Sequence, residues 1–123
     1  MTIVYGIPNC DTVKKARAWM AAQGVAHSFH DFKKQGVCAD KLLEWAHAAG
    51  WDTLLNRRGT SWRKLDVAAQ KAAETVAGRI ALITADPSLI RRPVIEWDCG
   101  GLRGMVTVGF KDPPNLQFSA NSV

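Results

Sequence analysis

A short β-prone run, a turn, a helix and a second β-prone run open the chain, and that order leaves few folds available. Ile3-Val4-Tyr5 favours a strand, and Gly6-Ile7-Pro8-Asn9 after it is turn chemistry. From Asp11 to about Gln23 the apolar residues Val13, Ala16 and Met20 recur at helical spacing on one stripe, and Gly24 supplies the stop. Ala26-His27-Ser28-Phe29-His30-Asp31-Phe32 alternates as a second strand. A β-α-β opening implies parallel strands joined by a right-handed crossover.

The middle of the chain reads as helical. Lys33-Lys34-Gln35-Gly36 marks a break, after which Asp40 to Ala49 forms a helix carrying Leu42, Leu43 and Trp45, with Asp40 as its N-cap. Gly50-Trp51-Asp52 ends it. Leu54-Leu55 leads into the basic loop Asn56-Arg57-Arg58-Gly59-Thr60, and Thr60 or Ser61 caps a short turn through Leu65. Val67 to Ile83 is Ala-rich and helical in pattern, and Asp86-Pro87-Ser88 opens one more turn. The last third is β-prone again. Val94-Ile95-Glu96-Trp97 and Met105-Val106-Thr107-Val108 make a hairpin across a glycine-rich connection, and Asp112-Pro113-Pro114 leads into a short terminal helix. The order predicts one α/β domain over residues 1–123, built around a mixed sheet.

Composition narrows the function classes. With 47% hydrophobic residues, a chain of 123 residues buries a real core and is not predominantly disordered. No apolar run approaches the ~20 residues of a membrane span, and the N-terminus lacks a basic, apolar leader. Both point to the cytoplasm, with reduced thiols and no membrane partner. The cysteines Cys10, Cys38 and Cys99 are odd in number and widely spaced; without a C-x-x-C pair they form neither a zinc ribbon nor a local two-thiol motif. His27, His30 and His47 have no metal-ligand spacing, although His27 and His30 could share a strand edge, so no metal is expected. The charge of +5 suits an anionic small molecule or an acidic surface better than nucleic acid.

Three places carry chemistry. Cys10 lies between a strand-turn and a helix, where unpaired N–H groups and the helix dipole favour a thiolate. At 100° per residue, Lys14 and Arg17 fall within about 40° of it on the helix face. The alternative is a small packing cysteine at a cap, with both cations merely solvated; Cys38 and Cys99, in a loop and a hairpin turn, have no helix start to activate them. Arg91-Arg92-Pro93 is the second place, a guanidinium beside an X-Pro bond, suited to gripping a carboxylate or oxyanion unless it is only a basic helix end. The third is the run from Arg57 to Lys64, four cations in eight residues around Trp62, which is either an anion grip or a solvated loop. Together Lys14, Arg17, Arg57, Arg58, Arg91 and Arg92 are expected to converge on one thiol.

Three segments in this order, Tyr5-Gly6-Ile7-Pro8-Asn9-Cys10-Asp11-Thr12-Val13-Lys14-Lys15-Ala16, Leu54 to Leu65, and Leu89-Ile90-Arg91-Arg92-Pro93, resemble the arsenate reductase/Spx/YffB family, the loop being closest to the YffB branch. The resemblance runs from Thr2 to about Phe110. It implies a thioredoxin-like fold with a helical insertion over residues 36–88. It implies Cys10 as redox nucleophile, Lys14 stabilising the thiolate, and Arg92 beside a cis Pro93 facing Cys10, with Arg57, Arg58, Asn9 and Thr12 as further anion-binding candidates. Arg92 matches one of the arginines that surround the oxyanion in arsenate reductases; Asn56 stands at the position of the loop arginine, and Gly109-Phe110-Lys111 where another is expected. Val13 replaces the second cysteine of Spx-type C-x-x-C switches. The resemblance therefore implies a monothiol reductase with glutathione as co-substrate and no tightly bound cofactor. The alternatives are arsenate reduction, or a regulator that binds the RNA polymerase alpha subunit.

Overall fold

The structure is a computed structural model and describes residues 1–110. Its elements are β1 (Thr2–Gly6), α1 (Asp11–Ala22), β2 (His27–Asp31), α2 (Phe32–Gln35), α3 (Ala39–Ala49), α4 (Trp51–Leu54), α5 (Thr60–Arg63), α6 (Val67–Ala72), α7 (Val76–Ala85), β3 (Val94–Glu96) and β4 (Val106–Val108), with 3-10 turns at Pro87–Leu89 and Gly100–Leu102. The expected terminal helix after Pro114 lies outside the described residues. Two compact units emerge from the fold: Met1–Phe32 together with the described residues from Arg92, and Lys33–Arg91.

The first unit holds a mixed sheet in the order β2-β1-β3-β4. β1 runs parallel to β2 and antiparallel to β3, and β3 pairs antiparallel with β4. This is the mixed sheet that the order of elements predicts, in the thioredoxin-like arrangement that the resemblance implies. Val4, Phe29 and Ile95 are register partners and so share one face of the sheet. On that face α1 sets its predicted stripe: Val13, Ala16 and Met20 are all buried. Ala16 and Met20 join Val4, Val25, Ile95, Trp97 and Leu102 in one apolar cluster flanked by Trp19, Phe29, Cys99 and Phe110. Burying Val13 and Met20 contributes on the order of 1.5–3 kcal/mol each. On the opposite face the Tyr5 hydroxyl donates to Glu96 Oε1 at 2.8 Å, and the Tyr5 ring meets those of His30 and Phe32.

The second unit is helical, and here the structure departs from several expectations. Residues 32–35 form a helical turn rather than a break. Asp40 lies within the first turn of α3, and the N-cap is Cys38. Gly50 ends α3 at φ 88°, a conformation open to glycine, yet the chain immediately makes another turn, α4. Neither Thr60 nor Ser61 caps α5, whose N-cap is Gly59. The stretch from Val67 to Ile83 is two helices, because Thr75 interrupts it as an N-cap whose hydroxyl accepts from the Gly78 N–H at 3.0 Å. Gly78 seals that break, since a Cβ there would sit 1.7 Å from the Ala72 carbonyl oxygen. Asp66 caps α6 through the Ala69 N–H, and Asp86 caps the turn at Pro87–Leu89, as the sequence predicts for that turn. Leu54-Leu55 and Leu89-Ile90 are buried and joined by the Leu55–Ile90 bridge. Among the described residues no helix is long and apolar enough to cross a membrane.

Asp98 closes the hairpin back onto β1. Its N–H donates to Thr2 Oγ1 at 2.9 Å, and its carboxylate meets the Met1 ammonium at 2.6 Å and Arg103 at 3.1 Å. The Met1 ammonium, then Arg103, hold the carboxyl below its usual value of 3.8. A folded-state value depressed in this way gives stability that is present above the unfolded value and lost as pH falls through the folded one. Asp98→Asn is therefore expected to lower Tm at neutral pH. In a pH series of melts, the gap to wild type should hold down to about pH 5 and close below 3.8.

Candidate active site

β1 and β2 are parallel, so the crossover helix α1 must begin at the end of the sheet where β1 finishes. Gly6 to Asn9 make that passage, with Ile7 buried and Pro8 and Asn9 exposed. Cys10 follows as the N-cap of α1, in extended conformation at φ −129° and ψ 122°. Its carbonyl accepts the first helical hydrogen bond, from the Lys14 N–H at 3.0 Å. Its side chain makes no cap hydrogen bond. A half-buried sulfur thus stands among the first N–H groups of a three-turn helix, where the dipole favours negative charge. Thr12 is half-buried and Lys14 exposed on the same first turn.

The antiparallel register of Tyr5 with Val94, extended by one residue, sets Gly6 opposite Pro93. The Arg92–Pro93 peptide is cis, as the resemblance implies. Pro93 is buried, its carbonyl accepts from the Gly109 N–H at 2.8 Å, and Arg92 is half-buried with its Nε enclosed. The start of α1 and the Arg92–Pro93 corner therefore share one end of the sheet.

The other cations do not all follow. Arg17 turns away from the thiol: its guanidinium lies 4.6 Å over the Phe29 ring, and its Nε is 3.5 Å from His27 Nε2. Arg91 belongs to the second unit, where its Nε donates to the Thr53 carbonyl at 3.0 Å. Arg57 and Arg58 are exposed in that same unit. Arg57 lies 5.4 Å over the Trp62 ring, and the Arg58 carbonyl accepts from Arg63. The expected convergence of six cations on Cys10 is corrected for Arg17, whose guanidinium has these partners of its own. His27 and His30, three residues apart on β2, point to opposite faces: His27 meets Arg17, and His30 meets Tyr5 and Phe32. Among the described residues no cluster of three His, Cys, Asp or Glu could hold a metal ion.

The expectation that only Cys10 begins a helix is also corrected. Cys38 is the N-cap of α3, and Cys99 is the N-cap of the turn at Gly100–Leu102. Cysteine is an uncommon cap, so neither helix start was marked by residue type. What separates the three is location. Cys99 follows Asp98, which is bonded to Thr2 at the opposite end of β1 from Gly6. Those ends lie roughly 13 Å apart at strand rise. A disulfide needs Cα atoms within about 7 Å, so Cys99 does not reach Cys10 in this fold. At position 13, where a second thiol would stand, Val13 is buried.

The comparisons with known proteins agree with this fold. The ArsC family model matches residues 5–117. The chain belongs to the ArsC family. Within it, an uncharacterised protein of Haemophilus influenzae is 37% identical over 112 residues, 91% of this chain and 93% of that one. The global transcriptional regulator Spx of Streptococcus pyogenes serotype M6 is 29% identical over 97 residues, 77% of this chain and 71% of the regulator. Among solved structures, a YffB protein superposes with TM-score 0.81 and 46% identity, over 92% of this chain and 94% of that one. An arsenate reductase related protein from Brucella melitensis gives TM-score 0.69 and 41% identity, over 91% and 88%.

The engagement of Arg17 generates a prediction. Seven residues of helix set it roughly 10 Å along the axis from Cys10, beyond a Debye length of about 8 Å at physiological salt. Arg17→Ala should cost about 0.5–1 kcal/mol of stability through the lost ring contact. Iodoacetamide should alkylate Cys10 in that variant at the wild-type rate.

Proposed function

We propose that this ArsC-family chain is a monothiol reductase that uses Cys10 as its nucleophile and glutathione as its resolving thiol. The observation that carries the reading is the placement of Cys10, an N-cap whose sulfur is left out of capping, at the sheet end that also bears the Arg92–Pro93 corner. In the first step the Cys10 thiolate attacks one sulfur of a disulfide substrate. A Cys10–substrate S–S bond forms, the substrate S–S bond breaks, and the second sulfur leaves as a thiolate that takes up a proton. In the second step a glutathione thiolate attacks the mixed disulfide, releasing reduced substrate and leaving Cys10 bound to glutathione. A second glutathione then regenerates the Cys10 thiolate and departs as glutathione disulfide. Two electrons pass from two glutathiones to one disulfide. Glutathione takes the resolving role in this reading, since Val13 fills the position of a neighbouring thiol and Cys99 lies beyond reach.

In this reading the α1 N-terminus and Lys14 stabilise the thiolate and each departing thiolate. Arg92 holds a carboxylate of glutathione or of an anionic substrate, with Asn9, Thr12 and Pro93 completing the anion site. A second reading is a regulatory binding protein with the RNA polymerase alpha subunit as partner. It is favoured by the likeness to Spx, a named transcriptional regulator. Arsenate reduction by the same thiol is favoured by the related protein of Brucella melitensis. Glutathione-dependent reduction of a small mixed disulfide separates the three: turnover supports the first reading, arsenate-dependent thiol oxidation the arsenate reductase, and an inert Cys10 with a stable polymerase complex the regulator.

Two outcomes are expected. Cys10→Ser abolishes both turnover and the glutathione adduct, while Cys38→Ser and Cys99→Ser retain them; full activity in Cys10→Ser would sink the assignment. Lys14→Met slows Cys10 alkylation at neutral pH by about 1.4- to fivefold, the size of one exposed charge interaction of about 0.2–1 kcal/mol. That difference should shrink as salt is raised.

A further inference from the structure

We propose that Gly6 and Val13 form a seat that positions Cys10 for reaction, making Val13 a positioning residue rather than a vacant second-thiol position. The proposal rests on the reading of Cys10 as the nucleophile. Gly6 ends β1 and is buried, and Val13, on the first turn of α1, is buried as well. A Cβ built on Gly6 would stand 2.6 Å from Val13 Cγ2, a distance that real Cβ atoms essentially never show. Hydrogen at position 6 is therefore what lets the first turn of α1 rest directly on the end of β1.

The consequence reaches the thiol. Cys10 lies between the two contact residues, four positions from Gly6 and three from Val13, and its side chain makes no hydrogen bond to the helix start that would fix it. Its carbonyl accepts from the Lys14 N–H, which moves with the helix. Arg92–Pro93 is carried by β3, which pairs with β1. The Gly6–Val13 contact thus sets the height of the α1 start, and of the sulfur, above the sheet end that bears the Arg92–Pro93 corner. A reacting group displaced by about 1 Å loses on the order of a hundredfold in rate.

The same geometry supplies its own rescue. The Cβ of Val13 lies 3.7 Å from the Cβ built on Gly6, an ordinary van der Waals contact. In the double variant Gly6→Ala/Val13→Ala the two methyl groups meet at that spacing, and the helix start returns to its native height. The experiment measures iodoacetamide alkylation of Cys10, with the exposed Cys38 of the second unit as internal reference, together with the rate of glutathione adduct formation. Gly6→Ala is expected to lower the Cys10-to-Cys38 alkylation ratio and the adduct rate tenfold or more, on the order allowed by such a displacement. Gly6→Ala/Val13→Ala should return both to within about threefold of wild type, and Val13→Ala alone, which empties the seat, should fall between.

A Gly6→Ala protein that is folded and keeps the wild-type ratio overturns the proposal, as does a double variant no better than Gly6→Ala. Should Gly6→Ala fail to fold, the double variant measured against Val13→Ala decides: recovery upholds the seat, and equal rates remove it. A wild-type protein that alkylates readily at Cys10 but takes up no glutathione defeats the reductase reading, and the alkylation ratios still decide the seat.

Discussion

The parallel pairing of β1 with β2 is the constraint on which the rest of the molecule depends. Two parallel strands require a crossover, and α1 meets that need only by starting where β1 ends. The stripe Val13, Ala16 and Met20 holds the helix against the sheet, and the buried Gly6 lets its first turn approach closely. The residue at the helix start then inherits unpaired N–H groups and a favourable dipole without any further device. In this chain that residue is a cysteine. Because β3 runs antiparallel to β1, the Arg92–Pro93 corner arrives at the same end of the sheet.

Much of this was legible because it depends on periodicity and on a few special residues. The α1 stripe, the alternation of β2 and the glycine-rich hairpin each register in a short window of sequence. The helical unit was less legible, because its boundaries are set by contacts that composition hides. The alanines from 67 to 83 present one unbroken helical pattern. The break comes from a hydroxyl at Thr75 and from backbone closeness at Gly78. A Thr-x-x-Gly signal was present in the sequence, but it is ordinary in isolation. Cys38 and Cys99 were read as loop residues because cysteine carries almost no capping preference, although both occupy N-caps.

The distribution of positive charge was the least legible feature. On a helical wheel Arg17 and Lys14 look equivalent with respect to Cys10, because a wheel discards distance along the axis. The structure separates them: Lys14 stays one turn from the thiol, and Arg17 packs over Phe29 toward His27. Arg91 likewise holds the Thr53 carbonyl within its own unit. The positive charge is therefore shared between structural contacts and the residues proposed for anion binding. Helix-start position alone does not single out one cysteine either, since all three are caps. The proposed reading rests instead on a combination found at Cys10, a twelve-residue helix, the Arg92–Pro93 corner and a half-buried sulfur.

The central claim is that this surrounding makes Cys10 the reactive thiol of the chain. The most direct test is to expose the wild-type protein to oxidised glutathione under native conditions and map the adduct to individual cysteines over time by peptide mass spectrometry. The account predicts that Cys10 is modified first, while Cys38, although more exposed, lags well behind and Cys99 remains free. Modification that follows exposure alone, with Cys38 first and Cys10 no faster than Cys99, would contradict it.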